Sequence, residues 1–241
     1  MRKLTLALGS SLILAAPLVQ ADIVGLGASV SYWDSDLSGD VASGGNSVDV
    51  NDELRMEDDG NANASIYLEH PVPLLPNVRL AYTLVQQSGD GSLSSNYGPF
   101  PAGSSVRSDL DLEQLDLTLY YEILDNWVNL DLGLTVRDFS GELLLQSGSA
   151  ADRTEADAVL PLGYVAARFD LPLTGLAVGA EGNFISFDGD SMRDFNVYGQ
   201  YNISLLQLRA GYRQLAVDYE DGSDAFDVKI DGPFISAGVA F

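Results

Sequence analysis

His70 is the one histidine of the chain, and there is no cysteine. Thiol nucleophiles, thiolate metal sites and disulfides are therefore excluded, and imidazole chemistry has a single candidate. A histidine acts as a general base only with a hydroxyl or carboxylate partner within hydrogen-bond reach. Ser65 lies five residues away, on the opposite face of an alternating segment, so no catalytic residue is assigned and His70 reads as a turn residue. Carboxylates form the second chemical set. Residues 34–60 hold nine acids and one base, Arg55, and further acids gather at Asp188, Asp190 and Asp194 and at Asp218, Glu220, Asp221 and Asp224. Such oxygens can hold calcium or magnesium, but neither of the last two groups follows the spacing of a calcium loop. The expectation is weak divalent-cation binding by solvated acidic loops, with no specific metal site and no cofactor.

The positions of these residues depend on the elements that carry them. With 12 basic against 35 acidic side chains the formal charge is -23, which repels a phosphate backbone and excludes nucleic-acid binding. Residues 1–21, MRKLTLALGSSLILAAPLVQA, place Arg2 and Lys3 ahead of an apolar stretch and end in small residues. That is the grammar of a secretory signal peptide, cleaved after Ala21. The apolar stretch is too short to cross a bilayer as a helix. Residues 22–241 read as a single domain.

In that domain the apolar residues recur with period two, in segments of about ten residues. Val24, Leu26, Ala28, Val30 and Tyr32 alternate with glycines and serines, and Leu115, Leu117, Leu119, Tyr121 and Ile123 with Gln114, Asp116, Thr118, Tyr120 and Glu122. Ten such strands are expected, eight being the alternative. The stretch from Ala156 to Asp170 is apolar on both parities and is placed by its length and flanking turns. Short connections (71–77, 125–127, 171–175, 204–205) alternate with long ones (34–60, 88–109, 139–154, 187–193, 217–231). An all-β, antiparallel, up-and-down transmembrane β-barrel of the bacterial outer membrane has this arrangement, with short periplasmic turns and long outward loops. Closure is required because an open sheet edge in hydrocarbon leaves unpaired amides. Aromatic residues near strand ends, Tyr32, Trp33, Tyr82, Tyr121, Trp127, Tyr164, Tyr201, Tyr212 and Phe241, fit the interfacial girdles of such barrels.

The polar stripes then face a lumen, and the charges on them need partners. Glu69, Arg79 and Glu122 fall near the short-turn end and are expected to close the periplasmic mouth. Asp131 and Arg209 come next, and Glu181, Arg213 and Arg137 lie toward the outer end. Four arginines and four carboxylates balance, which suggests a salt-bridged lumen. Its apolar inward set is expected to be small: Tyr67, Tyr120, Tyr198, Val165 and Phe234.

Two places carry a resemblance. The closing run FISAGVAF, with Ile235, Ala237, Val239 and Phe241 at alternate positions, resembles the terminal strand signal read by the barrel assembly machinery. The runs EHPVPLLPN at 69–77, VDVNDELRMEDD at 48–59 and YYEILDNW at 120–127 are similar to a family of proteobacterial outer-membrane β-barrel proteins without an assigned activity. The resemblance implies the fold and the location, with outer-membrane lipids and the assembly machinery as partners, and carries no catalytic residues. The expected function is a small integral outer-membrane barrel with a largely side-chain-filled lumen, in a structural or surface-interaction role or as a narrow cation-preferring pore. The alternatives are a transporter of apolar or small solutes and, more remotely, an outer-membrane enzyme.

Overall fold

The structure is a computed structural model and describes residues 24–43, 45–58, 61–72, 74–221 and 224–241. The signal peptide and its cleavage site lie outside the described residues. The elements in chain order are β1 (Gly25–Trp33), β2 (Asp36–Ser43), β3 (Asn46–Asp49), β4 (Met56–Asp58), β5 (Asn61–Glu69), β6 (Asn77–Ser92), β7 (Ser105–Leu124), β8 (Val128–Ser147), β9 (Ala150–Asp170), β10 (Leu176–Phe187), β11 (Asp190–Ile203), β12 (Leu206–Asp221) and β13 (Asp224–Ala240). β1 and β2 both pair with β13 and form one wall strand, interrupted beside Pro233, which has no N–H to give the ladder. β4 and β5 both pair with β6 and form the next wall strand, while among the described residues β3 pairs with β2 alone. The wall is thus a closed ten-strand antiparallel barrel, sealed by β1 against β13 from Gly27↔Ala240 to Trp33↔Phe234.

Three of the five long connections expected at the outer end are largely ladder, and the other two are partly so. β8 and β9 pair up to Ser147↔Ala150 around Gly148–Ser149, and β10 and β11 up to Phe187↔Asp190 around Asp188–Gly189. β12 and β13 pair up to Asp221↔Asp224, and β6 and β7 up to Ser92↔Ser105. The segment 34–60 contains β2, β3 and β4. β7, β8 and β9 run 20, 20 and 21 residues, about twice the 9–11 that a tilted strand needs to cross hydrocarbon. The barrel therefore continues well past any bilayer.

The two halves have opposite polarity. In the inner half the outward positions are aliphatic and exposed, for example Leu26, Val30, Ile66, Leu80, Leu117, Leu132 and Val178. This band calls for a hydrocarbon solvent, because a water-soluble wall would bury those side chains. Past it the parity flips. On β7 the outward residues change from Leu119, Leu117 and Leu115 to Glu113, Asp111 and Asp109, while the inward ones change from Thr118, Asp116 and Gln114 to Leu112, Leu110 and Val106. The outer half is hence built like a soluble barrel around an apolar core. That core joins Trp33, Leu37 and Val41 of the first wall strand to Val48, Val50 and Leu54 of the segment folded over the mouth, to Met56 of β4, and to Leu93, Tyr97 and Phe100 of the β6–β7 connection. Gly91 lets the segment lie directly on β6, since a Cβ there would stand 1.8 Å from the carbonyl oxygen of Glu53.

Three expectations change with this structure. Trp33 is buried in the core and not part of an aromatic girdle. Tyr164 also points inward and Val165 outward, because β9 runs on the opposite parity from the one expected. The inward apolar set is large and not small, and it fills the outer half.

Candidate functional site

The lumen of the inner half carries the molecule's buried charges, in three tiers that follow from strand parity and register. Nearest the outer core, Asp116 and Arg137 are direct cross-strand partners in the β7–β8 ladder. The Arg137 side chain is 0% exposed. It donates from Nε to Asp116 Oδ1 at 2.8 Å and from Nη2 to Asp116 Oδ2 and Asp194 Oδ2, both at 2.7 Å. Arg213 holds Asp194 from the other side, at 2.9 Å and 2.8 Å, and its guanidinium lies 4.8 Å from the centre of the Trp33 ring. Two arginines sharing one carboxylate satisfy both of its oxygens, which a buried charge requires.

In the middle tier Arg79 of β6 reaches across the lumen to Glu181 of β10 in a two-pronged pair, 3.1 Å on each side, and Asn196 adds a donor at 3.2 Å. Arg209 donates to Gln200 Oε1 at 2.6 Å and lies 4.5 Å from the centre of the Tyr198 ring. Hydroxyl and amide pairs fill the wall between them: Thr118 with Thr135 at 2.8 Å, Thr135 to Asn183 at 2.6 Å, and Ser29 with Ser65 at 2.9 Å. Glycines leave room for the large rings. Gly27 faces Tyr67 and Gly179 faces Tyr198 across their ladders, and a Cβ would come within 2.2 Å and 2.6 Å of those rings. The space left between the tiers is a cavity of about 70 Å³, lined among others by Ser31, Arg79, Arg209, Arg213 and Ser236. At the 10–15 Å³ a water needs, it admits on the order of five waters.

The inner tier is acidic. Tyr120 donates to Glu69 at 2.8 Å and Asn77 to Glu122 at 3.2 Å. Arg168 pairs with Asp170 at 3.1 Å, and Asn129 adds a donor to the same carboxylate at 2.7 Å. Asp131 shares this end of the lumen. Arg79 therefore pairs with Glu181 and not with Glu69 or Glu122, so the three residues expected to meet at the periplasmic mouth do not form one group. The balance also differs. Asp116, Asp194, Asp170 and Arg168 join the expected set, giving five arginines and seven carboxylates on the inward faces described above. Asp116 stands on a parity that alternation already marks as inward, and its charge was readable there. Asp194 falls at the edge of an acidic run read as a loop, and Arg168 on the strand of ambiguous parity.

His70 begins the β5–β6 turn at the inner end. Its backbone N–H donates to Asn77 Oδ1 at 3.0 Å, Nδ1 accepts from Val72 N at 3.2 Å, and Nε2 contacts Pro76 O at 3.2 Å. Both ring nitrogens are thus occupied in shaping the turn. Among the described residues no three His, Cys, Asp or Glu side chains are grouped to hold a metal ion. Of the acids considered for calcium, Asp194 belongs to the arginine network and Asp190 accepts the Glu220 backbone N–H at 3.1 Å. The side chains of Asp221 and Asp224 lie outside the described residues.

Among solved structures, the outer-membrane protease OmpT of Escherichia coli is similar with a TM-score of 0.58 at 10% identity, over 91% of this chain and 97% of that one. The fold is that of an outer-membrane β-barrel. The translocator domain of the autotransporter NalP from Neisseria meningitidis gives 0.48 at 7% identity, over 92% and 90% of the two chains. The transport unit of the autotransporter AIDA-I from Escherichia coli gives 0.42 at 9%, over 95% and 93%. At these identities the likeness speaks to fold alone. No protein-family model and no curated protein matches the sequence.

Proposed function

We propose that the chain is an integral outer-membrane protein whose inner half spans the bilayer and whose outer half stands above it as a closed, acidic, water-facing barrel. Its role is structural or one of surface interaction. The observation that carries this is the apolar core across the outer half. A pore needs a continuous wetted path, and here Leu54, Val85, Leu145 and Ile230 fill the section above the charged tiers. The lumen charges hold the inner half together as a paired network, and the closing run 234–241 serves as the assembly signal, with Ile235, Ala237, Val239 and Phe241 exposed on the lipid side. Passage of apolar solutes would need open space within the apolar core, where the side chains instead pack on one another. OmpT is a protease by its name, but an imidazole engaged on both nitrogens at the opposite end from the protruding half supports no such role for His70.

Planar-bilayer recording of the purified, refolded protein tests this, with heat-modifiable migration on gels showing that the barrel has formed. The folded form is expected to insert without steady ohmic current. A stable open conductance would overturn the closed reading.

A further inference from the structure

Two of the inner turns hold a leucine in a backbone conformation that leucine disfavours. Leu74 has φ of 71° and Leu173 of 65°, in the left-handed region. In the second case the turn runs from Leu171 to Thr174, closed by Thr174 N to Leu171 O at 3.3 Å. Pro172 takes its second position and Leu173 the third, where a turn of this kind ordinarily calls for glycine. Leu74 likewise follows a proline in the sequence. Neither side chain is held by packing, since Leu74 is 91% exposed and Leu173 107%. The outer hairpins differ, with Gly148–Ser149 and Asp188–Gly189 at their tips, residues suited to the geometry. A strained, water-exposed leucine at two separate turns needs a reason outside the barrel's own stability.

Two observations say what covers them. Tyr121 projects outward from β7 with the aliphatic band, and its hydroxyl donates to the Leu74 carbonyl oxygen at 2.9 Å. The β5–β6 turn is thereby tied to the outer wall. The apolar band also continues into the turns through Val72, Leu75, Leu171, Leu205 and Trp127, all exposed, and Asp125 is the only formally charged residue in the four connections. We infer that Leu74 and Leu173, with these neighbours, insert into the headgroup–acyl boundary of the inner leaflet, so that the periplasmic turns are membrane anchors and do not stand in water. The surface they meet is lipid. It is continuous with the band, and the amphipathic Trp127 ring sits at the level such rings favour. The inference rests on the membrane-spanning reading of the inner half.

The native chain has no cysteine, so single-cysteine variants can each carry an environment-sensitive NBD label. Leu74→Cys and Leu173→Cys report the turns, Ile66→Cys the middle of the band and Asp111→Cys the outer wall. Each is refolded as the full chain into phosphatidylethanolamine/phosphatidylglycerol vesicles. The turn labels are expected to emit to the blue of the Asp111 label, to be quenched by lipids spin-labelled near the headgroup and to resist aqueous iodide. The Ile66 label is expected to be quenched by lipids labelled deep in the chain. Iodide quenching at both turns with lipid quenching at Ile66 would overturn the inference and leave the barrel in the membrane; the turns would then be free for a periplasmic protein. Iodide quenching at Ile66 would overturn the membrane-spanning reading itself, and the inference with it. As an unlabelled check, Leu74→Asp with Leu173→Asp should lower the yield of vesicle-refolded protein several-fold. Aspartate tolerates the left-handed backbone, so the loss reports the surroundings, and an unchanged yield would count against insertion.

Discussion

Arg137 joins two carboxylates with no side-chain surface exposed, and its removal leaves Asp116 without its arginine. Arg137→Ala is expected to cost about 3–5 kcal/mol, as broken buried pairs do, read as a lower urea midpoint in detergent-refolded protein. Replacing both partners, Asp116→Leu with Arg137→Met, should recover part of that loss, because no orphaned charge remains. Gln114 presents the opposite case. It sits between the charged tiers and the apolar core, 1% exposed, and among the described residues neither its amide oxygen nor its nitrogen has a hydrogen-bond partner. Gln114→Met should therefore stabilise the barrel by roughly 1–2 kcal/mol, the order of the penalty for a buried unsatisfied group. An unchanged or lower midpoint would show that the amide is satisfied in solution.

At the scale of elements, the strand positions in the inner half were legible because one face meets hydrocarbon and the other a polar lumen, so a single parity persists from Leu115 to Ile123 or from Val128 to Val136. In the outer half alternation does not reveal the strands, for a physical reason. There the apolar parity switches faces, acids occupy the outward positions, and alternation looks interrupted. The sequence of β7 nonetheless shows the switch, with leucines at 110 and 112 and then at 115 and 117. The partners of the lumen charges were less readable, since Arg79 with Glu181 is a contact across the barrel and alternation reports only facing, not distance. The segment over the mouth gives its own test. Gly91→Val places side-chain atoms where the Glu53 carbonyl lies, so the segment should lift from β6 and free the backbone beside Arg55, whose side chain is already exposed. Limited trypsin treatment is expected to cut the variant after Arg55 several times faster than the unaltered protein; equal rates would mean that the segment is not held there.

If the whole molecule is closed as proposed, the apolar core and not the charged network keeps the lumen from conducting. Arg79→Ala is accordingly expected to lower stability without producing steady current, whereas deleting residues 45–57 should open the outer mouth and give cation-preferring conductance past the acidic inner tier. Bilayer recordings of both variants check this. Deletion of Phe241, whose backbone pairs with Leu26 at 2.8 Å and 3.2 Å, should reduce assembled protein in cells far more than it reduces refolding in detergent, if the terminal run is read by the assembly machinery.

The placement of the apolar core above the arginine tiers has one more effect. In a barrel closed as proposed, hydronium and small ions reach Glu181 and Asp194 only through the acidic inner vestibule. With the short turns on the periplasmic side, such an interior would take its chemical potential from the cell side alone, and acidification of the surrounding medium would reach these pairs only after it had reached the periplasm.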